Sequence, residues 1–128
     1  MGFRRKRGRT YSKAVRRQGV MNQTEKWYKE NVLDERLKSG ELVKVEFERV
    51  KLILVHPDPG TKRRESSYLV DFNCVNSSGE FEMHEVKGYA DEADRLKIKV
   101  AAELFPEWHW TMVHVDRRKG CVTKREDF

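Results

Sequence analysis

Residues 66–89 read SSYLVDFNCVNSSGEFEMHEVKGY, and this stretch decides the predicted fold. Two runs rich in β-branched and aromatic residues flank the turn residues NSSG, which is the pattern of a β-hairpin. At the end of the second run, the carboxylate Glu85 and the ammonium group of Lys87 are two residues apart, so they share one face of the strand. A sheet face usually takes apolar side chains, so this pair is either a surface ion pair or part of a functional site.

Two helices are predicted on either side of the hairpin. The first follows Asn22, whose spacing to Glu25 fits a capping box, and it ends at the stop signal Ser39-Gly40. The second is capped by Asp91 and ends before Pro106. Both are long enough to cover a sheet face.

Further strands complete the predicted order α-β-β-β-α-β. Residues 42–56 predict one long strand with a bulge or bend near Glu48–Val50, where the apolar phase changes. Residues 108–115 predict the last strand, and the tail from Asp116 is expected to be polar. The crossover helix should place the last strand parallel to the third. The prediction is therefore an α/β fold with a central mixed sheet flanked by helices.

Composition limits the class of protein. A length of 128 residues indicates one domain, and no apolar run is long enough for a membrane span. The basic N-terminus is followed by no apolar stretch, which argues against a secretory signal. Cys74 and Cys121 form no CxxC pattern, so we expect reduced thiols in a cytoplasmic protein without a zinc site.

The positive charge is concentrated at the N-terminus. Residues 1–24 hold 8 of the 27 basic residues and no acid, so residues 25–128 carry 19 basic and 21 acidic side chains, a net charge of −2. We expect residues 1–20 to be a flexible arm that binds nucleic acid, and residues 21–128 to be the domain. The alternative is a solubilising tail. The predicted nucleic-acid-binding residues are Arg4, Arg5, Lys6, Arg7, Arg9, Lys13, Arg16 and Arg17.

The hairpin register determines whether two carboxylates meet. Asp71 and Glu85 are each seven residues from Ser78, so a register centred there places them opposite one another, with Cβ atoms about 5 Å apart. Facing carboxylates repel unless a cation lies between them, and Mg²⁺ prefers such oxygen ligands. A centre between Ser77 and Ser78 would instead put Asp71 opposite His84 and turn Glu85 away.

Two lysines could complete a site around the carboxylates. Lys87 shares the face of Glu85 and could orient a water or neutralise charge on a phosphate. Lys97 falls in the middle of the apolar arc of the second helix at 100° per residue. It either extends along the sheet toward Glu85 or keeps its ammonium group in water at an apolar edge.

Glu25 has two interpretations. It projects from the inner face of the first helix, which Met21, Tyr28 and Val32 are predicted to define. It also fits a capping box with Asn22, which is a purely structural role.

The motifs YLVDF, HEVKGY and LKIKVAAELFP, in this order, resemble the PD-(D/E)XK nuclease superfamily, and more closely a group of small phage-encoded endonuclease-like proteins within it. The resemblance covers about residues 20–116. In place of the usual proline before the aspartate stands Val70.

The resemblance implies a restriction-endonuclease-like core and roles for individual residues. Asp71, Glu85 and the helix-borne Glu25 would hold the metal, and Lys87 would be the catalytic lysine. The helix that follows would carry a further lysine, at Lys97. The expected cofactor is Mg²⁺, with Mn²⁺ as a substitute.

The predicted function is a metal-dependent DNA endonuclease, acting on branched DNA or as a nickase in phage recombination or replication. One site cuts one strand, so cutting both strands would need a homodimer. The expected location is the cytoplasm, that of the host cell if the protein is phage-encoded, with no membrane association. The alternative is a non-enzymatic nucleic-acid-binding protein that uses the basic arm.

Overall fold

The computed structural model describes residues 19–128. The helical elements are α1 (Gln23–Tyr28), a π-helical turn (Lys29–Leu33), α2 (Asp34–Lys38) and α3 (Glu92–Leu104). The strands are β1 (Leu42–Phe47), β2 (Lys51–Val55), β3 (Ser66–Leu69), β4 (Phe72–Asn76), β5 (Phe81–Lys87), β6 (His109–Asp116) and β7 (Cys121–Asp127).

Five strands form the main sheet, in the order β1-β4-β5-β6-β7, and β2 pairs with β3 in a separate two-stranded sheet. The β5–β6 pair is parallel, and the other neighbours in the main sheet are antiparallel. The predictions of an α/β fold, a mixed sheet and a parallel fourth strand are confirmed. The parallel pair follows from the crossover through α3, because a helix between two strands returns the chain to the same end of the sheet.

The β4–β5 hairpin has the register centred on Ser78. Phe72 lies opposite His84 and Asn73 opposite Met83. One step further, this register places Asp71 opposite Glu85, as predicted, and it excludes the alternative that would pair Asp71 with His84.

The prediction of one long strand over residues 42–56 is wrong, because the chain bends between β1 and β2. The backbone of Glu48 is left-handed, with φ 49°. Its N–H still donates to the carbonyl of Asp71 at 2.9 Å, and the N–H of Val70 donates to the carbonyl of Val50 at 3.0 Å. Residues 48–50 thus face only residues 70–71, so the chain carries a bulge where the bend was predicted. The second predicted strand divides at the same level, into β3 and β4.

The first helix begins as predicted but contains an unpredicted π-helical turn. Asn22 and Glu25 form the capping box, with bonds of 2.8 and 2.9 Å. In the π turn, hydrogen bonds join residues five apart. Tyr28 and Leu33 are therefore both fully buried, whereas Val32, predicted to lie on the inner face, is only partly buried.

The main sheet is covered on both faces. The α1–α2 side buries one apolar cluster, and α3 with the β2–β3 sheet buries another on the opposite face. The first cluster includes Tyr28, Leu33, Leu42, Phe72, Cys74, Val86, Val113 and Val115. The second includes Leu52, Tyr68, Val70, Met83, Ala90, Ile98, Ala101, Trp110 and Met112.

The polar tail predicted after Asp116 is instead the edge strand β7. Its sequence CVTKRED has little apolar surface, and most of its residues are exposed, so it lacks the pattern of a half-buried strand. Its Glu126 accepts hydrogen bonds from Arg95 at 3.3 and 3.4 Å and lies 2.6 Å from His114 Nε2. Tertiary pairing therefore determines this strand.

The eight cations of the predicted arm lie outside the described residues. Cys74 and Cys121 are free thiols, the first buried and the second exposed. Among residues 19–128, no helix is long and apolar enough to cross a membrane.

Candidate active site

A polar pocket opens where the β1–β2 and β3–β4 bends meet the end of β5 and the start of α3. Its volume is about 300 Å³. We call it the acidic pocket, and its lining residues are Glu48, Ser67, Tyr68, Leu69, Asp71, Glu85, Lys87, Asp94 and Lys97.

Asp71 forms the floor of the acidic pocket and is 5% exposed. Its Oδ2 accepts a hydrogen bond from the backbone N–H of Val86 at 2.9 Å, which fixes the carboxylate across the hairpin. Burial, together with the charges of Glu85 and Glu25, raises the pKa of Asp71 to about 8, against the opposing effects of the Val86 bond and Lys87. The group is therefore poised to exchange a proton for another cation near neutral pH.

Glu85 is also buried and is held by two donors. The hydroxyl of Tyr68 donates to Oε2 at 2.6 Å, and Lys87 Nζ lies 3.2 Å from Oε1. Burial raises the pKa of Glu85, although Lys87 and Tyr68 pull it down. Burial and the neighbouring Glu85 charge also raise the pKa of Tyr68, so its phenol stays protonated and remains a donor.

Lys87 lies between two carboxylates. Besides Glu85, it contacts Asp94 Oδ1 at 3.4 Å. Burial lowers the pKa of Lys87, but Glu85 and Asp94 outweigh it and the net pKa is raised. Asp94 in turn forms the capping box of α3 with Asp91, so the helix start positions the Lys87 ammonium group.

Three carboxylates from different parts of the chain converge at the acidic pocket. One oxygen each from Glu25, Glu48 and Asp71 lies within 4.8 Å of the others. Glu25 is only 1% exposed, and it both caps α1 and reaches this group. Glu48 Oε2 also accepts a hydrogen bond from the N–H of Gly19 at 2.6 Å.

The donor set fits a hard divalent cation. Oxygens that share one Mg²⁺ at about 2.1 Å each lie at most about 4.2 Å apart, so a small inward movement of these carboxylates would suffice. The cluster is largely buried and acid-rich, so a cation would remove its charge repulsion.

The structure brings the five predicted site residues to one region of the protein. Asp71, Glu85, Lys87 and Lys97 line one pocket, and Glu25 joins it through Asp71. Glu85 stands beside the three-carboxylate group and is not part of it. Lys97 is exposed at the rim and forms no salt bridge within residues 19–128.

His84 lies on the opposite face of the sheet from Glu85, where its Nδ1 is 2.7 Å from the Tyr28 hydroxyl. Among residues 19–128, the tyrosine and tryptophan side chains are partly or wholly packed, with one exception. Tyr68 and Trp110 are buried, Trp27 and Trp108 are half-buried, and Tyr89 is 84% exposed.

Sequence reasoning missed the site residues Glu48, Asp94 and Tyr68. The signal for Glu48 was the predicted bend, since a break in a strand turns its side chain out of the regular alternation. The signal for Asp94 was its position three residues after the cap Asp91, which defines a capping box. No local pattern marked Tyr68, because its role depends on the approach of Glu85.

Comparisons of the chain with protein-family models, with curated proteins and with solved structures gave no significant match.

Proposed function

We propose that the protein is a divalent-metal-dependent endonuclease that hydrolyses phosphodiester bonds in DNA. One observation carries the proposal: carboxylates of Glu25, Glu48 and Asp71 converge in one group, and Glu48 and Asp71 of this group line the same pocket as the cationic Lys87. Carboxylates that lie this close together repel one another, and such a convergence of acids is typical of sites that bind a cation.

Asp71 is the central ligand in this proposal, with Glu25 and Glu48 completing the set. A bound Mg²⁺ or Mn²⁺ supplies an activated water and stabilises charge on the phosphate oxygens. The carboxylates must be ionised to bind the metal, so Asp71 loses its proton when the cation enters. Glu48 is an addition to the set expected from the sequence.

Lys87 is the proposed electrostatic catalyst. Its raised pKa keeps the ammonium group charged at neutral pH, so it acts as a donor to a phosphate oxygen rather than as a base. Glu85 orients the ammonium group through the 3.2 Å contact and is itself fixed by the Tyr68 hydroxyl. This arrangement limits the movement of Lys87 during the reaction.

DNA as substrate, branched or nicked in recombination or replication, is supported by the basic N-terminal residues, whose charge suits a polyanion. A single acidic pocket cuts one strand at a time. Cleavage of both strands would therefore use two copies of the chain.

The direct test is incubation of the protein with supercoiled plasmid and with a labelled four-way junction, in Mg²⁺, in Mn²⁺ and in EDTA. We expect cleavage in either metal and none in EDTA. Asp71→Asn should abolish cleavage, while Glu103→Gln, which removes an exposed carboxylate far along α3, should not.

Cleavage that persists in Asp71→Asn would mean that the activity does not come from this pocket. DNA binding without cleavage in any metal would favour the non-enzymatic alternative.

A further inference from the structure

A second pocket lies beside the acidic pocket. Its volume is about 390 Å³, and we call it the arginine pocket. Its lining includes Thr24, Gly88, Asp116, Arg117, Arg118 and Thr123. The pockets are neighbours because Gly88 directly follows Lys87 of the acidic pocket, and Thr24 directly precedes Glu25 of the three-carboxylate group.

The two arginines of this pocket are exposed and not engaged by carboxylates. Arg117 and Arg118 lie in the turn between β6 and β7, and neither forms a salt bridge within residues 19–128. By contrast, Arg36 and Arg95 are each held by a glutamate of the domain. A guanidinium group can donate two parallel hydrogen bonds to a phosphate.

Asp116 also lines the arginine pocket, but its carboxylate is bonded to the backbone of the turn. Its Oδ1 accepts hydrogen bonds from the N–H groups of Arg118 at 2.9 Å and Lys119 at 3.1 Å. These bonds fix the turn and so hold the two arginine side chains at the pocket.

Gly88 lines the arginine pocket and directly follows Lys87 of the acidic pocket. Neither its backbone conformation nor the packing around it requires a glycine. Its φ is outside the left-handed region, and an added Cβ would meet only Thr24 Oγ1, at an ordinary 3.9 Å. A glycine that the fold does not require leaves bare backbone, which lets a ligand approach closely.

We propose that the arginine pocket binds a phosphate of the DNA strand that flanks the phosphate in the acidic pocket. This inference rests on the proposed function. Arg117 and Arg118 donate to the phosphate oxygens, and the Thr24 hydroxyl can add a further donor. The strand passes over Gly88, where a side chain would stand between the two phosphates.

The test is DNA binding by the full chain in EDTA. Binding is measured by fluorescence anisotropy at a series of salt concentrations. The variant is Arg117→Gln/Arg118→Gln. The control is Lys38→Gln/Lys99→Gln, which removes the same charge from α2 and α3 at positions that line neither the acidic pocket nor the arginine pocket. Losing the contact to this one phosphate should reduce the slope of log K against log salt by about 0.7 on single strands and about 0.9 on duplex.

Gly88→Ala gives a second, uncharged test. We expect an unchanged melting temperature, because a Cβ atom at this position makes only an ordinary contact within the fold, and weaker DNA binding. If cleavage is observed, both changes should raise KM and leave kcat at saturating DNA unaltered.

An Arg117→Gln/Arg118→Gln protein with the wild-type salt slope would overturn the inference, as would an equal loss in the lysine control. Absence of DNA binding by the wild type would also overturn it. Because binding is measured in EDTA, a protein that binds in this way and never cuts would contradict the proposed nuclease and still support the arginine pocket.

Discussion

Asp71 and Glu85 share an interior that is nearly closed to water, and each raises the cost of ionising the other. Asp71 is 5% exposed and Glu85 is 8% exposed. Lys87 supplies one positive charge to this pair, while Glu25 and Glu48 add two more carboxylates. In the absence of a metal ion, a proton on Asp71 lowers the negative charge of this group, in line with its raised pKa.

The metal-free protein should therefore lose stability as pH rises. The pKa of Asp71 is about 8 in the folded chain and 3.8 as a free side chain, so the folded state binds more protons between these values. The stabilising contribution is complete below about pH 3.8 and is lost as pH rises toward 8, at about 1.4 kcal/mol per pH unit as an upper limit. Urea unfolding of wild type and Asp71→Asn in EDTA from pH 5 to 8 measures it.

Asp71→Asn should flatten this dependence and raise stability at pH 8, since the amide can still accept from Val86. Glu103→Gln should keep the wild-type slope. Parallel curves for wild type and Asp71→Asn would contradict the assignment of a protonated Asp71.

Lys87→Met tests whether the ammonium group serves the reaction. We expect cleavage in single-turnover conditions to fall on the order of a hundredfold, because one electrostatic contact to the transition state is lost. DNA binding in EDTA should change little. Lys87→Arg should not restore the full rate, since the guanidinium is planar and larger.

The control for this change is Lys99→Met, which removes an equivalent charge away from the acidic pocket. If Lys87→Met cuts at the wild-type rate, Lys87 is only the partner of Glu85 and Asp94.

The left-handed backbone conformation of Glu48 is unfavourable for a residue with a Cβ atom. A left-handed conformation costs a side chain with a Cβ atom about 1–2 kcal/mol relative to glycine. Glu48→Gly should therefore be more stable than Glu48→Ala by about that amount in thermal unfolding, because both lose the carboxylate and only glycine relieves the strain. Equal stability would show that the bulge is not strained.

Both Glu48 variants should also lose the increase in melting temperature that Mg²⁺ gives the wild type, since a ligand bound to the native state stabilises it. A full Mg²⁺ shift in Glu48→Ala would exclude Glu48 from the ligand set.

At the scale of elements, the paired bends of β1–β2 and β3–β4 create the acidic pocket. A regular strand would carry Asp71 and Glu48 past the end of β5 along the sheet. The bulge instead turns β2 and β3 away into their own sheet and leaves Asp71 opposite Glu85 at an open end. The Glu48 side chain then reaches the same point as Glu25 of α1.

The sequence predicted those elements whose signals are local. Asn22 and Asp91 cap their helices with side chains three residues away, and the hairpin centre follows from its turn. The π turn and β7 were not predictable in this way. The first depends on which of Val32 and Leu33 packs against the sheet, and the second on pairing with β6.

The site was predictable where two residues share one hairpin, as Asp71 and Glu85 do. Glu48 could not be assigned, because its position depends on how two bent strands meet. Whether the group binds metal and cuts DNA is a prediction that rests on the chemistry of these residues.

At the scale of the whole molecule, much of the positive charge lies at the N-terminus, in a part of the sequence that contributes no residue to the acidic pocket. Residues 1–17 carry eight basic side chains and none of the proposed catalytic groups. Deleting them should weaken DNA binding and make its salt dependence shallower, because fewer counterions are released. Anisotropy titrations over a salt series measure this, and cleavage at saturating protein should persist. An unchanged slope would exclude these residues as phosphate contacts.

The sheet order also affects the order in which strands can pair during folding. The β4–β5 hairpin needs only neighbouring residues, whereas β1 must find β4, and β6 must find β5 across α3. Asp71 and Glu85 can therefore meet while water still surrounds them, and their repulsion grows only when the later elements close over the hairpin. Asp71→Asn should for this reason slow unfolding more than it speeds folding in stopped-flow experiments. The proton or cation held at Asp71 would then set the lifetime of the native state rather than the rate of its formation.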